Sequence, residues 1–321
     1  MSIPTDHSYG FDPTHGMGLD ALRALRAPAA PSGFREFWEA RYRRALAVEP
    51  RPRLSPDSSD HPDWRVFDLA FTSTDGCAIG GWLLLPRRGE VRRGLVVGHG
   101  YGGREAPDLD LPVEATALLF PCCRGLSRSR HPAISANPAW HVLHDIDKPE
   151  RYVLGGCVED LWLAVSALLA LHPEIAGRVG YSGISFGGGI GALALAFDAR
   201  LDRGQLTVPT FGNMPLWLSL PSIGSAAAVQ AYRRRHPEVA ETLAFFDAAS
   251  AATLITVPML VAPARFDPAV APPCQFSIAN ALASSSLHES FILDAGHTDY
   301  PGMADQGAML RERVGEFFRA P

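Results

Sequence analysis

The run from Arg178 to Phe197, RVGYSGISFGGGIGALALAF, constrains the chain more than any other. Residues 178–182 read as a short strand, and 188–197 as a helix of small residues able to pack close to a sheet. Between them lies Gly183-Ile184-Ser185-Phe186-Gly187, a G-x-S-x-G pentapeptide in a strand–turn–helix context. A serine in that setting sits on a turn so sharp that its backbone is strained. Its neighbours two away on either side must then lack a Cβ. The hydroxyl is lifted above the sheet edge. The next amide, that of Phe186, points to where an oxyanion forms and gains from the positive end of the helix. Ser185 is therefore the candidate nucleophile.

A serine at its ordinary pKa needs a base, and the base needs an orienting acid. Where this elbow occurs, the chain order is serine, acid, histidine. Two strand ends downstream offer partners: VAPARFDP places Asp267 just after one, and LDAGHTDY places His297 just after the next. Asp294 and Asp299 remain alternatives for the acid, and His288, in a segment expected to face solvent, remains one for the base. Asp294, three residues before His297, is also placed to cap the loop.

A second glycine cluster, LVVGHGYGG over 95–103, admits two readings. Gly98, Gly100 and Gly103 fit G-x-G-x-x-G, which cradles a dinucleotide pyrophosphate when a helix starts at the third glycine and an acidic residue follows about 20 positions on. Here Gly103 is followed by Arg-Glu-Ala-Pro-Asp, and the stretch near position 120 is FPCCRG, without an acid. The better reading is an oxyanion loop, with the Tyr101 backbone N–H as second donor and His99 shaping the loop.

Residues 1–60, rich in Pro, Arg and Asp, read as an N-terminal extension, and 61–321 as a catalytic domain. The extension carries one helical patch, Phe34 to Leu46, with Phe34, Phe37, Trp38 and Tyr42 on one face. It docks on the domain or forms a subunit contact. A hairpin follows: Phe67, Leu69 and Phe71 alternate, Asp75-Gly76 turns, and 79–85 returns. Val153 to Leu171 has the spacing of an amphipathic helix, and 257–264 and 290–295 read as buried strands. This alternation predicts an α/β fold with a mostly parallel central sheet, helices on both faces, and its chemistry at the strand C-termini.

Bulk properties narrow the function. The net charge of −5 supplies no basic field for nucleic acid or acidic lipid, and Arg233-Arg234-Arg235 reads as a solvated face. Five cysteines without C-x-x-C spacing read as reduced thiols. His141 and His144 with Asp145 lack a third ligand at metal-binding spacing, so neither metal nor cofactor is expected. The first 18 residues hold no signal-peptide core, and no run approaches 18 apolar residues. A cytoplasmic protein acting on a small molecule, away from membranes, is the expectation.

The stretches FREFWEARYRRAL, HGYGG, CRGLSRS, DIDKPERYVLGGCVEDLWLAVSALLALHPEI, SGISFGGGIGALALA, FDPAVAPPCQFSIANAL and AGHTDYPG resemble the acetyl xylan esterase and cephalosporin C deacetylase family of α/β-hydrolases. The resemblance runs from about Phe34 to the C-terminus. The fourth and sixth stretches are its specific ones, the sixth through Asp267, its Pro-Pro and Asn280. It implies an α/β-hydrolase fold, a Ser185–His297–Asp267 triad, an oxyanion hole from Tyr101 and Phe186, and a homo-oligomer with sites facing an internal cavity. The implied activity is hydrolysis of small-acyl esters, acetyl above all, through an acyl-enzyme. A lactonase or thioesterase of the dienelactone-hydrolase type shares the triad order. The sequence departs from the family at Phe186, where the family usually has Gln, and at Leu154-Gly155-Gly156, which replaces an Arg-Gly. Phe186 either lines the acyl side of the pocket or turns into the core, leaving Met214 and Trp217 to set acyl selectivity.

Overall fold

The computed structural model describes residue 4 and residues 7–56, 61–282 and 288–319. Its strands are β1 (Arg53–Pro56), β2 (Trp64–Thr72), β3 (Ala78–Pro86), β4 (Arg93–Gly98), β5 (Thr116–Pro121), β6 (Val179–Ile184), β7 (Leu201–Thr207), β8 (Met259–Ala262) and β9 (His288–Ser290). They form one sheet in the order β1-β2-β3-β5-β4-β6-β7-β8-β9. The first three strands and the β3–β5 pair are antiparallel. Every other pair is parallel. The expected hairpin is the β2–β3 pair, with Asp75 and Gly76 both at positive φ in the turn.

The helices are α1 (Leu19–Ala24), α2 (Phe34–Leu46), α3 (Pro138–His141), α4 (Val153–Leu171), α5 (Phe186–Phe197), α6 (Met214–Trp217), α7 (Ser225–Arg233), α8 (Val239–Ala244), α9 (Ala248–Ala252), α10 (Pro272–Ala281) and α11 (Met303–Arg319). Strand side chains alternate between the two faces. Val96, Leu119 and Leu83 join the core under α2, α4 and α5, whereas Leu95, Val97, Leu118 and Phe120 meet Val314, Phe317 and Phe318 of α11. Because both faces are covered, β4 and β5 read as continuous apolar runs rather than alternating ones.

Helix α4 is not the amphipathic helix its spacing suggested. It is buried on nearly every side, Glu159 and Asp160 included. Its length and hydropathy would let it cross a membrane by composition alone, but here it is a core helix. Helix α2 covers it: Phe34 and Trp38 are buried, and the Trp38 indole N–H donates to Phe245 O at 2.7 Å. Arg41 and Arg44 reach Glu159 from α2, and Arg124 binds Asp160 from the CRG loop. Each buried carboxylate is thus paired, as burial of charge requires.

Two strands are shorter than their apolar runs. The run 257–264 yields strand only at Met259–Ala262. The last strand is His288–Ser290 rather than 290–295; beyond it the Phe291 N–H donates to Val261 O and Leu293 forms a bridge to Ala264. Past Leu293 the chain stays beside the segment after β8, with Gly296 N–H donating to Phe266 O at 2.8 Å next to His297.

Candidate active site

Ser185 stands between β6 and α5 with φ 53° and ψ −110°, a conformation that strains any residue with a Cβ. Neighbouring contacts hold it there. Its N–H donates to Thr207 O at 2.8 Å, and its carbonyl accepts from Thr210 at 3.1 Å and Gly189 at 3.0 Å. The two flanking glycines are required by contact. A Cβ on Gly183 would lie 2.5 Å from Gly187 O, and one on Gly187 would lie 2.8 Å from His99 O.

From this elbow a hydrogen-bonded chain runs through three side chains. Ser185 Oγ is 2.8 Å from His297 Nε2, and His297 Nδ1 is 2.7 Å from Asp267 Oδ2. Asp267 is fully buried on the loop after β8. Its Oδ1 accepts from the Ala269 and Val270 amides, both at 2.9 Å, and its Oδ2 also accepts from Gln275 Nε2 at 2.8 Å. Burial pulls the His297 pKa down, but the hydrogen bond and charge of Asp267 outweigh it and hold the imidazole above its ordinary value. His297 itself sits at positive φ. Its predecessor must be glycine, because a Cβ on Gly296 would lie 2.5 Å from Asp267 Oδ2.

The glycine loop after β4 serves this elbow. A Cβ on Gly98 would lie 2.2 Å from the Tyr181 hydroxyl, which itself donates to Gly187 O. Gly103 is at positive φ, and the chain that follows it is irregular up to β5. The helix that a dinucleotide site needs is therefore missing from these described residues, which overturns that reading. His99 is buried and shapes the loop: its Nδ1–H donates to Gly100 O at 2.7 Å, its Nε2 accepts from the Cys123 amide at 3.0 Å, and its carbonyl accepts from Gly187. The amides of Tyr101 and Phe186 have no acceptor among the described residues.

Phe186 turns into the core. It is fully buried, with its ring centroid 4.3 Å from Tyr101, 5.8 Å from His99 and 6.2 Å from Phe211. Met214 and Trp217 are buried as well, Trp217 against Phe211 at 5.6 Å. Ile184, just before Ser185, is the exposed apolar side chain of the elbow.

The alternatives for acid and base lie elsewhere. Asp294 is buried and its backbone N–H donates to Gln306, while its carboxylate makes no bond to His297. Asp299 is exposed, and His288 pairs with Ser290 on β9. The His141 ring bonds Tyr101 and Arg124 O, the His144 N–H donates to His141 O, and Asp145 pairs with Lys148 and Arg151. All five cysteines are unpaired. Asn280, prominent in the acid-loop signature, holds α1 by donating to Leu22 O and Leu25 O.

Sequence reasoning missed two groups. Gln275 lies one helical turn into α10. A buried carboxylate with spare lone pairs is the signal that asks for such a donor. Pro13 O accepts from the Asp267 amide at 3.3 Å, and Tyr9 reaches Thr298. The N-terminal segment, given no role in the sequence, thus touches both the acid loop and the histidine loop.

The family model for acetyl xylan esterase (AXE1) matches residues 13–307 of this chain. The match takes in residues 13–33 ahead of Phe34, a stretch outside the sequence resemblance. Acetyl xylan esterase 1 from Thermoanaerobacterium sp. JW/SL YS485 has a similar structure, with a TM-score of 0.77 at 20% identity, over 95% of this chain and 99% of that one. Acetyl xylan esterase from Paenibacillus sp. R4 gives 0.78 at 22% identity, over 92% and 99%. Acylaminoacyl peptidase from Pyrococcus horikoshii gives 0.63 at 15% identity, over 80% and 41%. These likenesses show a shared α/β-hydrolase fold.

Proposed function

The chain belongs to the acetyl xylan esterase family, and from that membership we propose a serine esterase that cleaves acetyl esters through an acyl-enzyme. Carboxylic ester hydrolysis is the activity that goes with the family. The finer reading assigns the residues. Ser185 is the nucleophile, His297 the general base and Asp267 the acid that orients it. The observation that carries it is the unbroken hydrogen-bonded chain from the strained Ser185 to the buried Asp267.

His297 Nε2 takes the Ser185 proton as Oγ attacks the ester carbonyl. Asp267 keeps the imidazole in the tautomer with hydrogen on Nδ1 and stabilises its charged form. The tetrahedral oxyanion is received by the Tyr101 and Phe186 amides, and losing one such donor typically costs ~10²–10³ in kcat. His297 then protonates the leaving alcohol, activates water, and the acetyl group departs as acetate. Phe186 supplies only its backbone to this chemistry, because its ring fills the space beneath the loop rather than the acyl site.

The test pairs hydrolysis of 4-nitrophenyl acetate, butyrate and octanoate with labelling by a fluorophosphonate. The parent protein should label at Ser185 and favour acetate, and Ser185→Ala should do neither while keeping its fold. Appreciable turnover in Ser185→Ala overturns the nucleophile, and a preference for octanoate overturns the acetyl reading alone.

A further inference from the structure

The two amides assigned to the oxyanion belong to residues whose side chains meet beneath the loop. The Tyr101 and Phe186 rings lie 4.3 Å apart, tilted by 36°. His141, fully buried at the end of α3, stands edge-on to both, at 83° to Tyr101 and 88° to Phe186. Its Nε2 is 2.9 Å from Arg124 O, and its Nδ1 is 3.0 Å from the Tyr101 hydroxyl. A carbonyl only accepts, so Nε2 carries the hydrogen and Nδ1 accepts from the tyrosine. Asn137 fixes α3 from below by capping Ala139 N at 2.9 Å, and His141 N bonds Asn137 O.

We propose that His141 is a positioning residue for the oxyanion hole: by taking the Tyr101 hydroxyl hydrogen bond it clamps the Tyr101 ring against Phe186. The separation of the two backbone amides is then set by side-chain packing rather than by the loop alone. The loop needs such a clamp. The loop is tied on either side of Tyr101, at Gly100 O by His99 and Gly103 N and at Gly103 by Ser127, but a Cβ on Gly100 or Gly102 would meet nothing within 4 Å, so the stretch that carries the Tyr101 amide has room to shift unless the side chain holds it. Phe186, on a helix held by the elbow, is the fixed side of the pair. The proposal rests on the serine-esterase reading above and adds the residue that sets its donor geometry.

Tyr101→Phe removes the hydrogen bond and keeps the ring, so it should leave the fold intact. The expected result is a fall in kcat for 4-nitrophenyl acetate of about tenfold, short of the ~10²–10³ that goes with losing a donor outright. KM should stay within about twofold, and affinity for a trifluoromethyl ketone, which forms the tetrahedral adduct, should fall with kcat. His141→Asn, whose amide oxygen replaces the Nδ1 acceptor, should recover much of what His141→Ala loses. Unchanged kcat in Tyr101→Phe overturns the proposal. So does a loss in His141→Asn equal to that in His141→Ala, or a loss in either variant that follows its Tm. Absent fluorophosphonate labelling of Ser185 in the parent protein would instead strike the serine-esterase reading beneath it.

Discussion

Gln275 Nε2 donates to Asp267 Oδ2, the same carboxylate oxygen that accepts from His297 Nδ1, at 2.8 and 2.7 Å. One oxygen therefore serves both the bond to His297 and a brace from α10. The Gln275 amide is used at both ends: its Oε1 accepts from Ala264 N, and its Nε2 also reaches Val270 O. It ties the end of β8 to the acid loop.

Gln275→Leu should therefore affect both stability and rate. The substitution leaves the buried Ala264 N–H and Val270 C=O without their partner, at about 1–3 kcal/mol for each unsatisfied group. A total loss of about 2–6 kcal/mol in urea unfolding is expected, with kcat down at least tenfold because the carboxylate loses a fixed orientation. A variant as stable and active as the parent would remove Gln275 from this role.

Much of this site is legible in the sequence because its chemistry depends on short-range constraints. Gly183 and Gly187 flank Ser185 because two backbones pass too close for a Cβ, and that spacing survives in the pentapeptide. Asp267 and His297 stand at strand ends, where apolar runs stop. What was not legible depends on long-range contact. Gln275 looks like any polar residue of a helix, and nothing local marks Pro13 as the partner of Asp267. Phe186 carries no local sign of whether it faces pocket or core, since four rings from three separate segments decide it. Apolarity also overstated strand length at 257–264 and 290–295, because loops folded over the sheet are as apolar as the strands.

Protonation of His297 should govern the pH profile. Only the neutral imidazole can take the Ser185 proton, and Asp267 holds the His297 pKa above 6.5. Then kcat/KM should be low in acid and rise to a plateau with an inflection above that value. Asp267→Asn removes the charge and should move the inflection down while cutting kcat by up to ~10⁴, as loss of the correct tautomer does in a serine protease. Asp294→Asn should stay within about twofold of the parent, having no bond to the imidazole. A reversal of the two variants would make Asp294 the acid.

Gly187→Ala tests the elbow by its backbone. The new Cβ would meet His99 O at 2.8 Å and Gly98 C at 2.9 Å, both backbone atoms where the glycine loop leaves β4. Relief requires elbow and loop to separate, which displaces Ser185 from the Tyr101 amide. A shift of this kind is worth up to ~10² in kcat. Gly100→Ala, with open space around its Cβ, is the control and should cost far less in stability. Equal kinetic and thermal losses in the two variants would show that the elbow has more slack than its contacts imply.

His99 should make the fold acid-sensitive. Burial pulls its pKa down to about 4, with the charge of Arg104 adding to the effect against the bond to Gly100 O. The physical reason is that both ring nitrogens are committed to the neutral form: Nδ1–H donates to Gly100 O, and Nε2 must accept from the Cys123 amide. A proton on Nε2 would break the second bond and leave a charge inside the core. The folded pKa lies below the ordinary 6.5, so the stabilisation is complete above pH 6.5 and is lost as pH falls towards 4. The full span corresponds to about 3 kcal/mol, and roughly 2 kcal/mol of it is gone at pH 5. Urea unfolding at pH 7.5 and pH 5 measures this directly. His99→Asn keeps a donor for Gly100 O but has no titrating ring, so it should be weaker at pH 7.5 yet lose about 2 kcal/mol less than the parent on acidification. If the parent and the variant lose stability in parallel, the acid sensitivity comes from the carboxylates, and His99 is not held neutral by the loop.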